Sequence, residues 1–220
     1  MTNAKQDILT RIRNAEKLAD APASVEHARD YRTESTHSRE ELKEILIDRL
    51  VDYKADVKTA DKQGLPQALA EVLRDRECHD VRYAPGLSTE LFSAIDGSVS
   101  ATPDDSSVDP RTLGDVDAVV TSSVVSSAQT GTIVLQSDVS NRAGDGTGVC
   151  GRRALSLVPD RHVCIVDMDT VVYGVPEMFA AIDPEKPATL ISGPSATSDI
   201  ELVRVEGVHG PRDLIVIVVD

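Results

Sequence analysis

Short, uninterrupted aliphatic segments in the second half of the chain constrain its fold more than any other feature. The clearest are 162–167 (HVCIVD) and 214–219 (LIVIVV). Strands buried on both faces have continuous apolar sequences of this kind, and they are typical of parallel sheets covered by helices. Aromatic residues make up 3% of the chain and Trp is absent, so Val, Ile, Leu and Ala must fill the core. The pattern predicts an α/β protein with a mostly parallel sheet.

Helical segments alternate with further strand candidates along the chain. Ser38 and Glu41 have the spacing of a capping box, which predicts the start of a helix, and 64–76 (GLPQALAEVLRDR) predicts a second helix with Pro66 in its first turn. The segment 88–95 (STELFSAI) predicts a third. The other strand candidates are 55–60, 79–86, 117–127, 131–136, 188–192 and 201–205. This alternation predicts an open Rossmann-like sheet with helices on both faces.

The first 37 residues differ from the rest of the chain. Residues 3–19 place Ile8 and Ile12 on one face of an amphipathic helix, and residues 20–37 are polar and lack a hydrophobic period. We therefore expect a helical N-terminal appendage with a linker over residues 1–37. The remaining 38–220 have a length suited to one hydrophobic core.

The charge of the chain excludes one class of partner. Against 23 basic residues there are 37 acidic ones, a net charge of −14, which would repel a phosphate backbone; we expect no nucleic-acid partner. No apolar segment approaches the roughly 20 residues that span a bilayer, and the N-terminus does not resemble a secretory signal. The sequence therefore predicts no membrane partner and a cytoplasmic location.

No pattern for a bound cofactor or metal is present. Cys78, Cys150 and Cys164 are far apart and match neither a disulfide framework nor a cluster motif, so we interpret them as buried thiols. Residues 146–151 (GTGVCG) have the GxGxxG spacing but lack a strand directly before and a full helix after, as a dinucleotide site requires. We expect a glycine loop there and no cofactor. Nucleophile-elbow, P-loop and HExxH motifs are also absent.

An arginine cluster is the first candidate for ligand binding. Four arginines lie within twenty positions of this acidic chain, beside a glycine-rich loop that could offer N–H groups to a small anion. They are Arg142, Arg152, Arg153 and Arg161. One hypothesis is a carboxylate or phosphate site, with Arg153 preferred over its neighbour; the other is ion pairing with Asp138, Asp145 and Asp160.

Two corners built from small residues are the second candidate. Residues 191–201 (ISGPSATSDIE) follow a strand, and His209 lies between Gly207 and Gly210 just before the last strand. Ligands of open α/β sheets bind beyond the carboxyl ends of strands, so we expect a pocket wall at that edge. The alternatives are a plain strand-to-helix turn and a structural histidine. We expect the corners near Thr130, Gly193 and His209 to meet at one rim.

Four segments in the second half resemble a known family. Residues 128–136 (AQTGTIVLQ), 151–166 (GRRALSLVPDRHVCIV), 191–201 and 207–214 (GVHGPRDL) are together similar to the LUD-domain, lactate-utilisation protein C family. The resulting candidates for ligand binding are Gln129, Thr130, Gly131, Thr132, Arg153, Ser192, Gly193, Pro194, Ser195, Asp199, His209 and Gly210. No catalytic residue is assigned.

The resemblance implies a fold similar to the glucosamine-phosphate isomerase, ribose-phosphate isomerase and CoA-transferase group. It also implies a role in oxidising L-lactate to pyruvate, beside partner subunits that hold iron–sulfur clusters. The corresponding family motif commonly reads AETGT, whereas Gln129 occupies the acidic position here. A glutamine cannot act as a general base, although it can still orient a ligand.

Three functions remain open from the sequence. The first is a cluster-free accessory subunit of a lactate-oxidising system, possessing no cofactor of its own. The second is a transferase, ligase or isomerase acting on a CoA, sugar-phosphate or folate-type molecule. The third is a module that senses a small carboxylate without turnover. Whether the chain is itself an enzyme is left open.

Overall fold

The computed structural model describes residues 3–20, 22, 24, 27–137, 148–197, 205–207 and 209–220. It divides the chain into two units, Met1–Arg32 and Thr33–Asp220. The first unit contains helix α1, Ala4–Leu18, which begins where the Asn3 side chain accepts a hydrogen bond from the Lys5 N–H at 3.2 Å. No side chain of α1 is buried. None of the helices in the described ranges combines the length and hydropathy needed to cross a bilayer.

The second unit contains the remaining regular elements. Its helices are α2 (Arg39–Asp52), α3 (Leu65–Asp75) and α4 (Val175–Ala180). Its strands are β1 (Asp56–Ala60), β2 (Asp80–Tyr83), β3 (Ser100–Pro103), β4 (Ala118–Ser122), β5 (Val125–Ser127), β6 (Thr132–Gln136), β7 (Arg161–Asp167), β8 (Val171–Val172), β9 (Ala188–Ile191), β10 (Ala196–Thr197), β11 (Val205–Glu206) and β12 (Asp213–Val219). Short 3-10 helices cover Thr89–Phe92, Pro110–Asp115, Arg153–Ser156 and Met168–Thr170.

A parallel sheet forms the centre of this unit. Among the described residues its six strands have the order β1-β12-β7-β4-β2-β3, and every neighbouring pair is parallel. The two aliphatic segments that most constrained the fold, β7 and β12, lie side by side in the interior of the sheet. The structure thus confirms the predicted open, Rossmann-like α/β class, since the strands with continuous apolar sequences are those buried on both faces.

The two faces of the sheet have different covers. Ile215 and Ile217 of β12 pack with helix α3 in one apolar cluster. Val216 and Val218, which point the other way, pack with α2 and with β6 in a second cluster. The alternation follows from the two-residue period of a strand. Helix α2 starts at the predicted capping box, in which Ser38 and Glu41 exchange side-chain and backbone hydrogen bonds.

A second, smaller sheet corrects the sequence-based prediction of one sheet. It has the order β8-β5-β6-β9, and β6 pairs antiparallel with both β5 and β9. The segment 117–127 therefore splits into two strands of different sheets, because the chain turns at Ser123 and Val124. The helix predicted over 88–95 is only a 3-10 turn, Thr89–Phe92. Of the predicted strand 201–205, residues 201–204 lie outside the described residues.

Candidate ligand cleft

A cleft of about 230 Å³ lies where the second sheet meets the parallel sheet. Leu214 and His162, the second residues of β12 and β7, form part of its wall. The other lining residues come from the end of the 3-10 helix Arg153–Ser156 and the residue after it, from β9 and the turn that follows it, and from the segment before β12. Together, the lining residues are Ser156, Leu157, His162, Thr189, Leu190, Ile191, Ser192, Gly193, Pro194, Ser195, Ala196, His209, Gly210, Pro211 and Leu214.

The cleft lies at the amino edge of the parallel sheet. The prediction of a pocket at the carboxyl edge is therefore wrong for these residues. The prediction treated residues 188–192 as a strand of the parallel sheet. Instead β9 is bonded to β6 in the second sheet, so its end does not share an edge with the ends of β7 and β12. Hydrogen-bond partners far apart in sequence decide which sheet a short apolar strand joins.

Backbone and side-chain hydrogen bonds join the two small-residue corners of the cleft. The Ser195 N–H donates to the Pro211 carbonyl at 2.8 Å, and the Gly207 N–H donates to the Ser195 carbonyl at 2.9 Å. The Ser195 hydroxyl oxygen accepts the backbone N–H of His209 at 3.0 Å. Strands β10 and β11, which pair antiparallel, continue this link. The turn after β9 and the segment before β12 are thereby held together.

Two glycines with left-handed backbone position the turns against the end of α2. Gly193 has a φ of 82°, and a Cβ there would lie 2.6 Å from the Tyr53 carbonyl oxygen. Gly131 has a φ of 58°, and a Cβ there would lie 2.9 Å from the Cβ of Arg49. Side chains other than hydrogen are strained in this conformation and would collide with the helix. The corners of 130–132 and 192–195 thus rest on the last turn of one helix.

A chain of hydroxyl groups connects these two corners. The Ser127 hydroxyl donates to the Tyr173 carbonyl at 3.2 Å, and the Thr130 hydroxyl donates to Ser127 Oγ at 3.0 Å. Thr130 Oγ1 lies 2.8 Å from Thr132 Oγ1, which lies 2.9 Å from the Ser192 hydroxyl. The chain runs from the buried strand β5 to the exposed Ser192 at the cleft.

His162 is the buried titratable group in the wall of the cleft. The residue is 1% exposed, and Nε2 of its ring lies 2.8 Å from the hydroxyl oxygen of Thr121. Burial disfavours the charged ring and lowers the pKa of His162 to about 4. The ring is therefore neutral at physiological pH, so this wall residue brings no positive charge to the cleft. The sequence did not predict a role for His162, because the residue lies within an aliphatic strand; a lone polar residue in a buried strand was the available signal.

Comparison with known proteins identifies the family of this chain. The sequence profile of the LUD domain matches residues 26–219. This chain belongs to the LUD-domain family. It is 37% identical to Lactate utilization protein C of Deinococcus radiodurans over 98% of this chain and 95% of that protein. The protein of the same name from Shouchella clausii is 29% identical over 83% of this chain and 81% of its own length.

A solved LUD-type structure agrees with this fold. It is the crystal structure of a DUF162 family protein from Deinococcus radiodurans, with a TM-score of 0.65 and 32% sequence identity. The match covers 84% of this chain and 99% of that chain. The resemblance recognised from four sequence segments is thus confirmed.

The LUD domain brings half of the predicted ligand residues to the cleft. The predicted residues that line it are Ser192, Gly193, Pro194, Ser195, His209 and Gly210. Thr130 and Thr132 reach it only through the hydroxyl chain, while Gln129, Gly131 and Arg153 are not in its wall. Asp199 lies outside the described residues. Ser156 and Thr189 are lining residues that sequence analysis did not single out.

The three described arginines of the predicted cluster are engaged in ion pairs or lie outside the cleft wall. Arg152 binds Asp104 through two hydrogen bonds, and Arg161 Nε donates to Asp213 at 2.7 Å. Arg153 is exposed and begins the 3-10 helix that precedes the cleft. Two of these three arginines pair as the second hypothesis proposed, although with other aspartates. Arg142, Asp138 and Asp145 lie outside the described residues, and Asp160 pairs with Arg212.

An ion-pair network borders a second crevice, at the carboxyl edge of the parallel sheet. Asp169 accepts hydrogen bonds from Arg39 at 2.6 Å and from Lys62 at 2.8 Å, and Lys62 also lies 3.5 Å from Asp167. Lys62 and Asp167 line this second crevice, also about 230 Å³ in volume. The charges there already pair with one another. In the described part of the chain, no group of three His, Cys, Asp or Glu side chains could hold a metal ion.

Proposed function

We propose that this LUD-domain chain acts in lactate utilisation as an accessory subunit that binds no iron–sulfur cluster of its own. The observation behind the proposal is its 37% identity to a Lactate utilization protein C along almost the whole of both chains. Similarity over 98% of this chain includes the segments that form the parallel sheet, the second sheet and the cleft. Such coverage supports a shared role more strongly than a fold likeness alone does.

The cysteines support assigning the clusters to partner subunits. A protein-bound cluster needs several thiolate ligands close together. Cys78, Cys150 and Cys164 are buried free thiols with no CxxC spacing. The electrons of lactate oxidation would therefore pass through partner subunits with cysteine-rich cluster motifs. Unpaired thiols also suit a reducing compartment, so the proposal includes a cytoplasmic location.

Growth on lactate tests this proposal. A strain of the source organism that lacks the gene is expected to grow normally on glucose and to fail on L-lactate as sole carbon source, and the intact gene is expected to restore growth. Complementation with the exposed-site variant Arg153→Ala serves as a matched control, since Arg153 is outside the cleft wall. Normal growth of the deletion strain on L-lactate would refute the proposal.

The cleft favours a second candidate function, a module that senses a small carboxylate without turnover. Its wall combines hydroxyl groups with a neutral imidazole, which suits binding more than bond breaking. A sensing module would bind L-lactate and yet be dispensable for lactate oxidation by the purified partner subunits. Lactate oxidation measured with and without the chain separates the two candidates: the accessory subunit raises the rate, and the sensing module does not.

A further inference from the structure

The hydroxyl chain beside the cleft has a fixed direction. Each hydroxyl group has one hydrogen to donate. Ser127 donates its hydrogen to the Tyr173 carbonyl, so it can only accept from Thr130. Thr130 has then used its hydrogen, and Thr132 must donate to it. By the same count Ser192 must donate to Thr132. The carbonyl at the buried end orients every hydrogen in the chain.

The consequence at the cleft is that the Ser192 oxygen has only lone pairs left. Its hydrogen is committed to Thr132, so a ligand in the cleft meets a hydrogen-bond acceptor at this position. A hydroxyl group on the ligand can donate to it, whereas a carbonyl oxygen would face it lone pair to lone pair. A ligand carbonyl that gives up its water for this contact gains no hydrogen bond in return, so the difference discriminates between ligands.

The other corner of the cleft has the opposite polarity. Ser195 Oγ accepts the His209 N–H, so its own hydrogen is directed elsewhere and can be donated to a carboxylate oxygen. Leu157 and Leu214 supply apolar wall between the two corners. Among the lining residues that the structure describes there is no Lys, Arg, Asp or Glu. The cleft therefore suits a small ligand with one negative charge at most.

We infer that the cleft binds a small 2-hydroxy monocarboxylate and selects it over the corresponding 2-oxo acid through the acceptor at Ser192. The ligand hydroxyl donates to Ser192 Oγ, and one carboxylate oxygen accepts from the Ser195 hydroxyl. With no cationic side chain in the described wall, we expect a dissociation constant in the millimolar range. The choice of L-lactate and pyruvate as probes rests on the proposed function. The polarity of the cleft is inferred from its hydrogen bonds alone and does not depend on that function.

Chemical-shift titration of the ¹⁵N-labelled full chain with sodium L-lactate or sodium pyruvate tests this inference. L-lactate is expected to shift the amide signals of Gly193, Ser195 and Gly210, with pyruvate binding about tenfold more weakly, the value of one lost hydrogen bond. Ser192→Ala is expected to weaken L-lactate binding by a similar factor and to leave pyruvate binding nearly unchanged. Ser192 is exposed, so this variant is expected to fold normally.

A substitution at Ser127, the buried end of the hydroxyl chain, gives the sharpest test. In Ser127→Ala the Thr130 hydroxyl loses its acceptor. The direction of donation along the hydroxyl chain can then reverse, and Ser192 is free to donate its hydrogen toward the cleft. The tenfold preference for L-lactate is then expected to shrink or invert. Ser126→Ala is the matched control, because Ser126 is equally buried in β5. Its hydroxyl contacts Ser123, which is not part of the hydroxyl chain. It should leave the preference intact.

Three outcomes would overturn the inference: equal or tighter binding of pyruvate by the unaltered chain, an unchanged preference in Ser127→Ala, or the absence of cleft shifts with either acid. None of these outcomes affects the interpretation of the growth experiment. A deletion strain that fails on L-lactate, combined with no binding at the cleft, would overturn this inference and leave the proposed function standing. Binding at the cleft with normal growth of the deletion strain would do the reverse.

Discussion

Arg152 and Asp104 form a two-point ion pair in which Arg152 Nε donates to one carboxylate oxygen at 2.7 Å and Nη2 to the other at 3.0 Å. Only 4% of the Asp104 side chain is exposed. The pair joins the end of β3 to the segment that precedes the ligand cleft, 48 residues later in the chain. Planar pairs of this kind have both strength and a defined geometry.

Loss of Arg152 is therefore expected to destabilise the domain. Arg152→Ala leaves the buried carboxylate of Asp104 without its partner, and we expect the free energy of unfolding to fall by about 3 kcal/mol. The matched control is Arg153→Ala, whose side chain is exposed and should change stability by less than about 0.5 kcal/mol. Urea denaturation of both variants measures the difference. Equal stability of the two would contradict the importance of this pair.

The turn at Gly193 is expected to tolerate no side chain. In Gly193→Ala the new Cβ combines a φ of 82° with a 2.6 Å approach to the Tyr53 carbonyl oxygen, so we expect a loss of at least about 2 kcal/mol. At Gly97 a Cβ would meet nothing within 4 Å, so Gly97→Ala is the control. Thermal unfolding of the two variants compares the sites. A Gly193→Ala protein as stable as the control would mean that the turn is not held against α2.

The stability of the domain is expected to decline as the pH falls below about 6.5. Burial lowers the pKa of His162 from 6.5 to about 4, so the unfolded chain binds a proton in this range that the folded chain does not. The stabilising contribution is full above pH 6.5, falls through the window and is lost below about pH 4. The shift corresponds to about 3 kcal/mol.

Comparison with His162→Gln isolates this contribution. Glutamine does not titrate, so the variant should have a flatter dependence of unfolding free energy on pH between 6.5 and 4.5, whatever its absolute stability. Urea denaturation at several pH values gives both curves. Parallel curves for the two proteins would show that His162 titrates alike in the folded and unfolded chains.

The three cysteines are expected to be unreactive while the domain is folded. Burial raises the pKa of the Cys150 thiol to about 11 and of the Cys164 thiol to about 12, and it also raises the pKa of Cys78. At pH 8 about one Cys150 thiol in 1000 would be ionised even with free access of reagent. Alkylation with iodoacetamide, followed by mass spectrometry, should show labelling only after unfolding by urea. Rapid labelling of the folded protein at any one cysteine would disprove this.

Local patterns predicted the interior strands of the parallel sheet and the start of helix α2. The continuous apolar sequences of β7 and β12 and the capping box of Ser38 and Glu41 encode structure within a few residues of themselves. Pairing between distant segments was not encoded in this way. Because β6 and β9 are short and apolar, their sequences do not distinguish a parallel from an antiparallel partner, and the second sheet was missed.

The same limit explains the mixed outcome at the cleft. Ser192, Ser195 and His209 were selected from turns rich in small residues, and the structure brings them together. The edge of the parallel sheet at which the cleft lies was predicted wrongly, because this prediction depended on the sheet to which β9 belongs. The hydroxyl chain to Ser127 and the contribution of His162 depend on side-chain directions that only the folded chain defines.

The iron content of complexes captured with this chain tests the proposed function most directly. The tagged chain is purified from lactate-grown and from glucose-grown cells of the source organism, and iron and copurifying subunits are measured. We predict that the chain expressed alone contains no iron, and that lactate-grown cells yield it with a cysteine-rich subunit and stoichiometric iron. Iron bound by the isolated chain, or capture from lactate-grown cells without any cluster-binding subunit, would contradict a cluster-free accessory role.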